Sequence, residues 1–316
     1  MEAAARIVAA ARPDILLLTG IDYDLEGRAL MAFADRVRAA GLDLPYGFAF
    51  RPNTGMASGI DLDGDGEAGG PGDAQGYGNF AGQEGMAVLS RLEIEAQAAQ
   101  DHSAFLWRDL PGALIDGAGL GAAAREVQRL STTGHWQVPV RLPGGGVIRL
   151  LAWHATPPVF DGPEDRNGRR NHDEAAFWLR LLDGDLPLAP PAPPFVLIGD
   201  ANLDPVDGDG RPAALAALIA DPRLADPLPR SRGGPAAAAA QGGANLGQRG
   251  DPALDTADWP DGPGGPGNLR VDYVLPSRDL AIRDAGVLWP APGEPLAAEA
   301  EAASRHRLVW VDLALP

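Results

Sequence analysis

Apolar positions in this 316-residue chain fall into short continuous runs, not long helical stripes. Ile15 to Leu18, Leu150 to Trp153 and Phe195 to Ile198 are such runs, and Met86 to Ser90 (MAVLS) reads as a further short strand. A strand buried on both faces needs this pattern. Gln137 to Leu142 and Val147 to Trp153 predict a hairpin around Gly144, Gly145 and Gly146. Leu269 to Leu275 and Leu308 to Leu315 predict two closing strands. Helical spacing covers residues 2–12, stopped by Pro13, and 26–40, closed by Gly41. Asn171 to Leu182 reads as an amphipathic helix that Asn171 caps, with Asp173 and Glu174 in its first turn. Residues 51–83, 154–170 and 229–268 read as loops, the last including the run PAAAAA at 235–240. There is no internal repeat. Apolar strands with polar residues at their ends predict one layered α/β domain over residues 1–316.

Composition narrows the chemistry. There is no Cys, which excludes disulfides, thiolate metal sites and Cys nucleophiles. All 26 basic residues are Arg, which excludes Schiff-base chemistry and a lysine-dependent P-loop. The formal charge of −17 opposes binding to duplex DNA and anionic membranes. No run reaches the ~18 residues that a membrane span requires. The opening MEAAARIVAAARPD suits a short helix better than a signal peptide. As written, the chain reads as a soluble cytoplasmic protein, with a monomer preferred. A start further upstream would allow a signal peptide and a periplasmic or secreted location.

Four strand ends carry candidate chemistry. Phe195 to Ile198 leads into Gly199-Asp200-Ala201-Asn202, which sets a carboxylate and an amide on one face. Asp200 suits orienting a water or holding a metal, and Asn202 suits a phosphate oxygen; an Asx turn is the alternative use of these residues. Leu150 to Trp153 delivers His154. Asp272 lies inside the apolar run Arg270 to Leu275, and a buried carboxylate needs a partner. His306 precedes the last strand, and an Asp–His pair fixes an imidazole as acid or base.

In this order the motifs resemble the endonuclease/exonuclease/phosphatase superfamily, in a bacterial branch. The stretches that carry the resemblance are GMAVLSR (85–91), HATPPVFDGPEDRNGRRNHDE (154–174), GDANLDPVDGDG (199–210), GNLRVDYVLPSR (267–278) and SRHRLVWVD (304–312). The resemblance implies an α+β fold, a four-layer α/β/β/α sandwich of two packed mixed β-sheets. It implies phosphoester hydrolysis assisted by a divalent cation, usually Mg²⁺. Asp200 would then orient or deprotonate the attacking water, and Asn202 would hold a phosphate oxygen. His306, steadied by Asp272, and His154 would face the phosphate.

Three positions depart from that pattern. The strand that the family places before the first helix is missing. Gly20 stands where the family has a metal-binding Glu, and Arg305 stands where it has a metal-binding Asp. Two carboxylates lost and one Arg gained change the local charge by about as much as a divalent cation supplies. Arg305 in the cation's place would give a protein that binds phosphate or a nucleotide and cleaves weakly or not at all, since Arg is no Lewis acid. Asp22 and Asp24, two and four residues beyond Gly20, offer the rival, a displaced Mg²⁺.

Further signals lie in the loops. Asp61, Asp63 and Asp65 match the first half of an EF-hand, but Gly72 replaces the twelfth-position Glu, so the expectation is a Ca²⁺-stiffened loop or a solvated acidic turn. Asp204, Asp207 and Asp209 form a weaker cluster. Arg166, Asn167 and Arg170 form the densest basic patch and are assigned to phosphate, beside the helix-start reading. Glu84 is a partner for a site His or a rim residue. Trp107, Trp153, Trp178 and Trp310 are assigned to the core. The charge favours a small phosphoester, a phospholipid headgroup or a short nucleotide as substrate.

Overall fold

A computed structural model describes residues 1–260 and 264–315. The elements run α1 (Glu2–Ala11), β1 (Ile15–Ile21), α2 (Arg28–Ala39), β2 (Tyr46–Phe48), β3 (Gly85–Ser90) and β4 (Gln100–Asp101). Then come α3 (Ala122–Val127), β5 (Gly134–Arg141), β6 (Val147–His154), α4 (Arg166–Asp183), β7 (Phe195–Asp200), α5 (Ala213–Ile219) and α6 (Gly233–Gln241). The chain closes with β8 (Ala257–Asp258), β9 (Asn268–Leu269), β10 (Asp272–Pro276), β11 (Ala281–Leu288), α7 (Ala297–Ala303) and β12 (Leu308–Ala314).

Side-chain alternation along the strands builds the layers. Val8 of α1 and Phe33 and Val37 of α2 pack on Leu16 and Leu89 of the sheet β1-β3-β2. Met86 and Val88, on the other face of β3, meet Trp136, Val138, Leu150 and Val196 of the five-stranded sheet β10-β7-β6-β5-β4. Leu151, Trp153 and Leu197 point the opposite way, onto Phe177, Trp178 and Leu181 of α4. The order is helix, sheet, sheet, helix, as the resemblance implies. β6 and β7 pair in parallel, and their C-terminal residues His154 and Asp200 fall in register. Gly199 permits this approach, because a Cβ there would lie 1.9 Å from the Trp153 carbonyl oxygen.

The first half of the sandwich is open on one side. No strand precedes α1 among the described residues. Among the described residues, β1 pairs only with β3, and β12 only with β11. A cleft of about 1100 Å³ lies between these two free edges, with Leu17, Ile198, Val274, Trp310 and Leu313 in its walls. Trp310 is therefore a half-buried wall residue, whereas Trp107, Trp153 and Trp178 are fully buried.

Several elements differ from the sequence pattern. α4 starts at Arg166, so Asn171 lies inside the helix and does not cap it. The stretch 229–268 holds α6, because its alanine run has the highest helix propensity of any residue type. The strand expected at Leu269 to Leu275 is split into β9 and β10. β11 and α7 have no counterpart in the sequence reading.

Candidate active site

Three strand ends and one loop converge at the same end of the sandwich. β6 ends in His154, β7 ends in Asp200, β10 begins with Asp272 opposite Asp200, and His306 arrives just before β12. His154 Nε2 lies 3.4 Å from Asp200 Oδ2. His306 Nδ1 lies 3.0 Å from Asp272 Oδ2 and 3.8 Å from Asp200 Oδ2. The other Asp200 oxygen accepts the Asn202 backbone N–H at 2.7 Å, so the Asx turn and the site arrangement coexist. Asn202 adopts φ 49 and donates its side-chain amide to the Ala155 carbonyl at 2.8 Å.

Electrostatics divides the imidazoles into two kinds. Burial, then the charge of His306, lowers the His154 pKa to about 4, so this ring is neutral. His154 Nδ1 is buried and has no hydrogen-bond partner among the described residues. Burial opposes the charge on His306, but Asp272 and Asp200 overcome it and raise its pKa to about 10. His306 is therefore an imidazolium that donates from Nδ1 to Asp272. Burial pushes the Asp200 pKa up to about 7; Asp272 adds to the rise and His306 opposes it. A site that raises the proton affinity of both groups is short of positive charge.

The structure sorts the remaining candidates. Gly20 adopts φ +72 at a break in the β1–β3 register, with open space where a Cβ would stand. Arg305 is exposed and makes no ion pair among the described residues, whereas Ser304, His306 and Arg307 line the cleft and Arg305 does not. Arg305 thus does not stand in a cation's place. Asp24 gives its carboxylate to the backbone N–H groups of Glu26, Arg28 and Ala29 and starts α2. Those bonds, that of Ala29 first, lower its pKa. Asp22 stays at the cleft with Glu84, whose backbone N–H it accepts at 3.0 Å.

The basic patch is structural. Arg170 is buried and donates to the carbonyls of Gln75, Arg129, Leu130 and Ser131. Arg166 donates to the carbonyls of Ala118 and Leu62, and the Asn167 side chain to that of Val159. Their donors tie loops together because those loops leave carbonyls unpaired. Asp61, Asp63 and Asp65 do come together, with oxygens within 4.8 Å of one another, all exposed and each accepting a backbone N–H of its own loop.

Three positioning residues carry little sequence signal. Asn171 donates to the carbonyls of both Thr156 and Ala201, joining the loops that follow His154 and Asp200. Glu174 accepts from Thr132 and Thr156 N–H at 2.6 and 2.7 Å. Thr256 donates its hydroxyl to Asp272 Oδ2 at 2.8 Å, fixing the carboxylate that holds His306. Thr256 sits in a stretch without strand periodicity, so no pattern marks it.

The site has the donor chemistry for a divalent cation. Asp200 and Asp272 each offer a carboxylate oxygen within 4.8 Å of one another, and the His306 ring lies in the same cluster but, as an imidazolium, does not ligate. Carboxylate oxygens suit Mg²⁺, and the deficit of positive charge favours it. Positions 20 and 305 contribute no oxygen to it.

Residues 1–306 match the Endonuclease/Exonuclease/phosphatase family. No curated protein matches the sequence. The fold is similar to that of an endonuclease/exonuclease/phosphatase from Beutenbergia cavernae DSM 12333, with TM-score 0.58, 18% identity and coverage of 100% of this chain and 66% of that chain. This chain thus spans just under two thirds of that protein's length. A family protein from Leptotrichia buccalis C-1013-b gives TM-score 0.55 at 14% identity, over 99% of this chain and 92% of that one. The 3′ phosphatase NExo from Neisseria, bound to a product DNA hairpin, gives TM-score 0.50 at 16% identity, over 98% and 92%. With a family match that runs from the first helix to His306, over a fold these structures share, the chain belongs to the endonuclease/exonuclease/phosphatase family.

Proposed function

We propose that this chain hydrolyses phosphoesters at the Asp200–His306 pocket, with help from a divalent cation. The observation that carries this reading is the shared carboxylate: Asp200 Oδ2 faces His154 at 3.4 Å and His306 at 3.8 Å, with Asp272 holding His306. Asp200 orients a water and takes its proton. The His306 imidazolium binds a phosphate oxygen and stabilises the charge that builds on it. His154, neutral and fixed by β6, positions a second oxygen or the water. Asn202 keeps one amide N–H for the phosphate after bonding to Ala155. Asp200 and Asp272 would hold a Mg²⁺, which when bound neutralises phosphate charge.

A second reading, phosphate binding with slow cleavage, draws on positions 20 and 305, where no metal-ligating oxygen stands. Exposed Asp61, Asp63 and Asp65 would take a Ca²⁺ that stiffens their loop, apart from the chemistry. Hydrolysis of bis(p-nitrophenyl) phosphate, with Mg²⁺ and with chelator, separates the two readings. Chelator-sensitive turnover is expected. Inert protein that still binds inorganic phosphate would leave the second reading in place.

A further inference from the structure

His306 leads into β12, which pairs with β11 and not with the sheet that carries Asp200. Of its two ring nitrogens, only Nδ1 has a hydrogen-bond partner among the described residues, the Asp272 carboxylate. A ring bonded at one nitrogen still swings about that bond. A second contact must fix its plane before it can meet a phosphate oxygen in one place.

Residues 256–259, around β8, supply that contact. Asp258 N–H donates to the Arg305 carbonyl at 3.1 Å, and Arg307 N–H donates to the Thr256 carbonyl at 2.7 Å. These bonds set Ala257 opposite His306 in an antiparallel bridge. Asp258 also pairs with the Arg307 guanidinium at 2.9 Å, which opposes a slip of this register. Side chains opposite one another in such a pair share a face, and aromatic side chains reach the diagonal neighbour. Ala257 is small and fully buried, so it leaves room for the imidazole. Trp259, two residues on, meets that imidazole with ring centroids 5.4 Å apart and planes at 85°. Edge-to-face contact is a favoured arrangement of aromatic rings. The indole is itself seated on Ala257, Leu269 and Val271. Thr256, in the same segment, donates to Asp272 Oδ2 at 2.8 Å. One short segment thus touches both members of the Asp272–His306 pair.

Resting on the phosphoester reading above, we propose that Trp259 is a positioning residue for the reaction, whose ring fixes the plane of the His306 imidazole and leaves its Nε2–H as the donor to the phosphate. Asp272 sets where the imidazole pivots, and Trp259 sets how it is turned. A tryptophan that served only the small apolar cluster beneath it would add to stability and leave His306 unaffected.

The test compares the full chain with Trp259→Leu, which keeps an apolar side chain on Leu269 and Val271, and with Trp259→Phe, which keeps a ring beside His306. The first readout is proton NMR of the histidine rings. The chain has five, and the His306 signals are those absent from His306→Ala. The indole ring current displaces them, so they move in Trp259→Leu and move less in Trp259→Phe, while those of His102, His135 and His172 stay. The second readout is hydrolysis of bis(p-nitrophenyl) phosphate. Trp259→Leu lowers kcat about tenfold with KM within about twofold, and Trp259→Phe recovers kcat to within about threefold of native. Unmoved His306 signals overturn the proposal. So does native kcat in Trp259→Leu, or a loss confined to KM or to the melting temperature. If Trp259→Leu does not fold, Trp259→Phe decides alone, with displaced signals and nearly native kcat expected and unmoved signals overturning the proposal. The NMR readout needs no turnover. A native chain inert toward the diester would end the catalytic reading, and with it the reaction that Trp259 serves, whereas an active native chain with full kcat in Trp259→Leu would end this proposal alone.

Discussion

The two halves of the sandwich are built to different standards of closure. In the five-stranded half, β5, β6 and β7 each have a neighbour on both sides, and α4 covers the outer face. In the other half, β1 and β12 turn free edges toward a cleft of about 1100 Å³. The site spans the seam. His154, Asp200 and Asp272 come from the closed half, and His306 comes from the open one. Asp200 and the neutral His154 are thus set by register, while the cationic His306 depends on Asp272 reaching across.

The largest expected effect measures that difference directly. Trp153→Ala, at a fully buried site against α4, should cost about 3–5 kcal/mol, whereas Leu17→Ala on the cleft wall should cost about 1 kcal/mol or less. Urea unfolding of both variants checks it, and equal losses would break the comparison. Next in size is Arg170→Ala, which removes a buried donor shared by four carbonyls, three of which keep a second donor, and should cost about 2–4 kcal/mol with KM unchanged. A raised KM with full stability would return Arg170 to the phosphate.

A pH profile probes the seam itself. The proposed mechanism requires Asp200 ionised to accept a proton, and its pKa is raised to about 7. It requires His306 protonated to bind phosphate, and its pKa is raised to about 10. The value of kcat/KM should therefore climb up to about pH 7 and fall above about pH 10, by about tenfold per unit on each limb. Removing the Thr256 hydroxyl should move the upper limb and leave the lower one, because Thr256 touches Asp272. The smallest effect is Asp24→Ala, which should cost about 1 kcal/mol through the start of α2 without altering the response to Mg²⁺. A lost Mg²⁺ response would restore Asp24 as a ligand.

The closed half was the legible one. Runs such as Phe195 to Ile198 and Leu150 to Trp153 are buried on both faces, so hydrophobicity alone marks them and places Asp200 and His154 at their ends. β11, with exposed, half-buried and buried positions in no regular order, carries no such run. Side-chain direction was harder to read than position. Arg305 and His306 are adjacent in sequence, and only the fold, which seats His306 on Asp272, decides which one faces Asp200. Arg170 shows the same limit, since a cationic side chain inside a polar loop pattern looks like a phosphate ligand until the carbonyls around it are known. Thr256 and Asn171 act by bonding to groups from distant parts of the chain, which no local spacing reveals.

The most direct test of the account is the rate of bis(p-nitrophenyl) phosphate hydrolysis by the native chain and by Asp200→Asn and His306→Ala, with Mg²⁺ present and melting temperatures recorded. In the proposed mechanism Asp200 and His306 act on the same phosphate, so each variant should lose on the order of 10²–10⁴ in kcat/KM while remaining folded. Turnover that survives both substitutions would place the chemistry elsewhere and contradict the account.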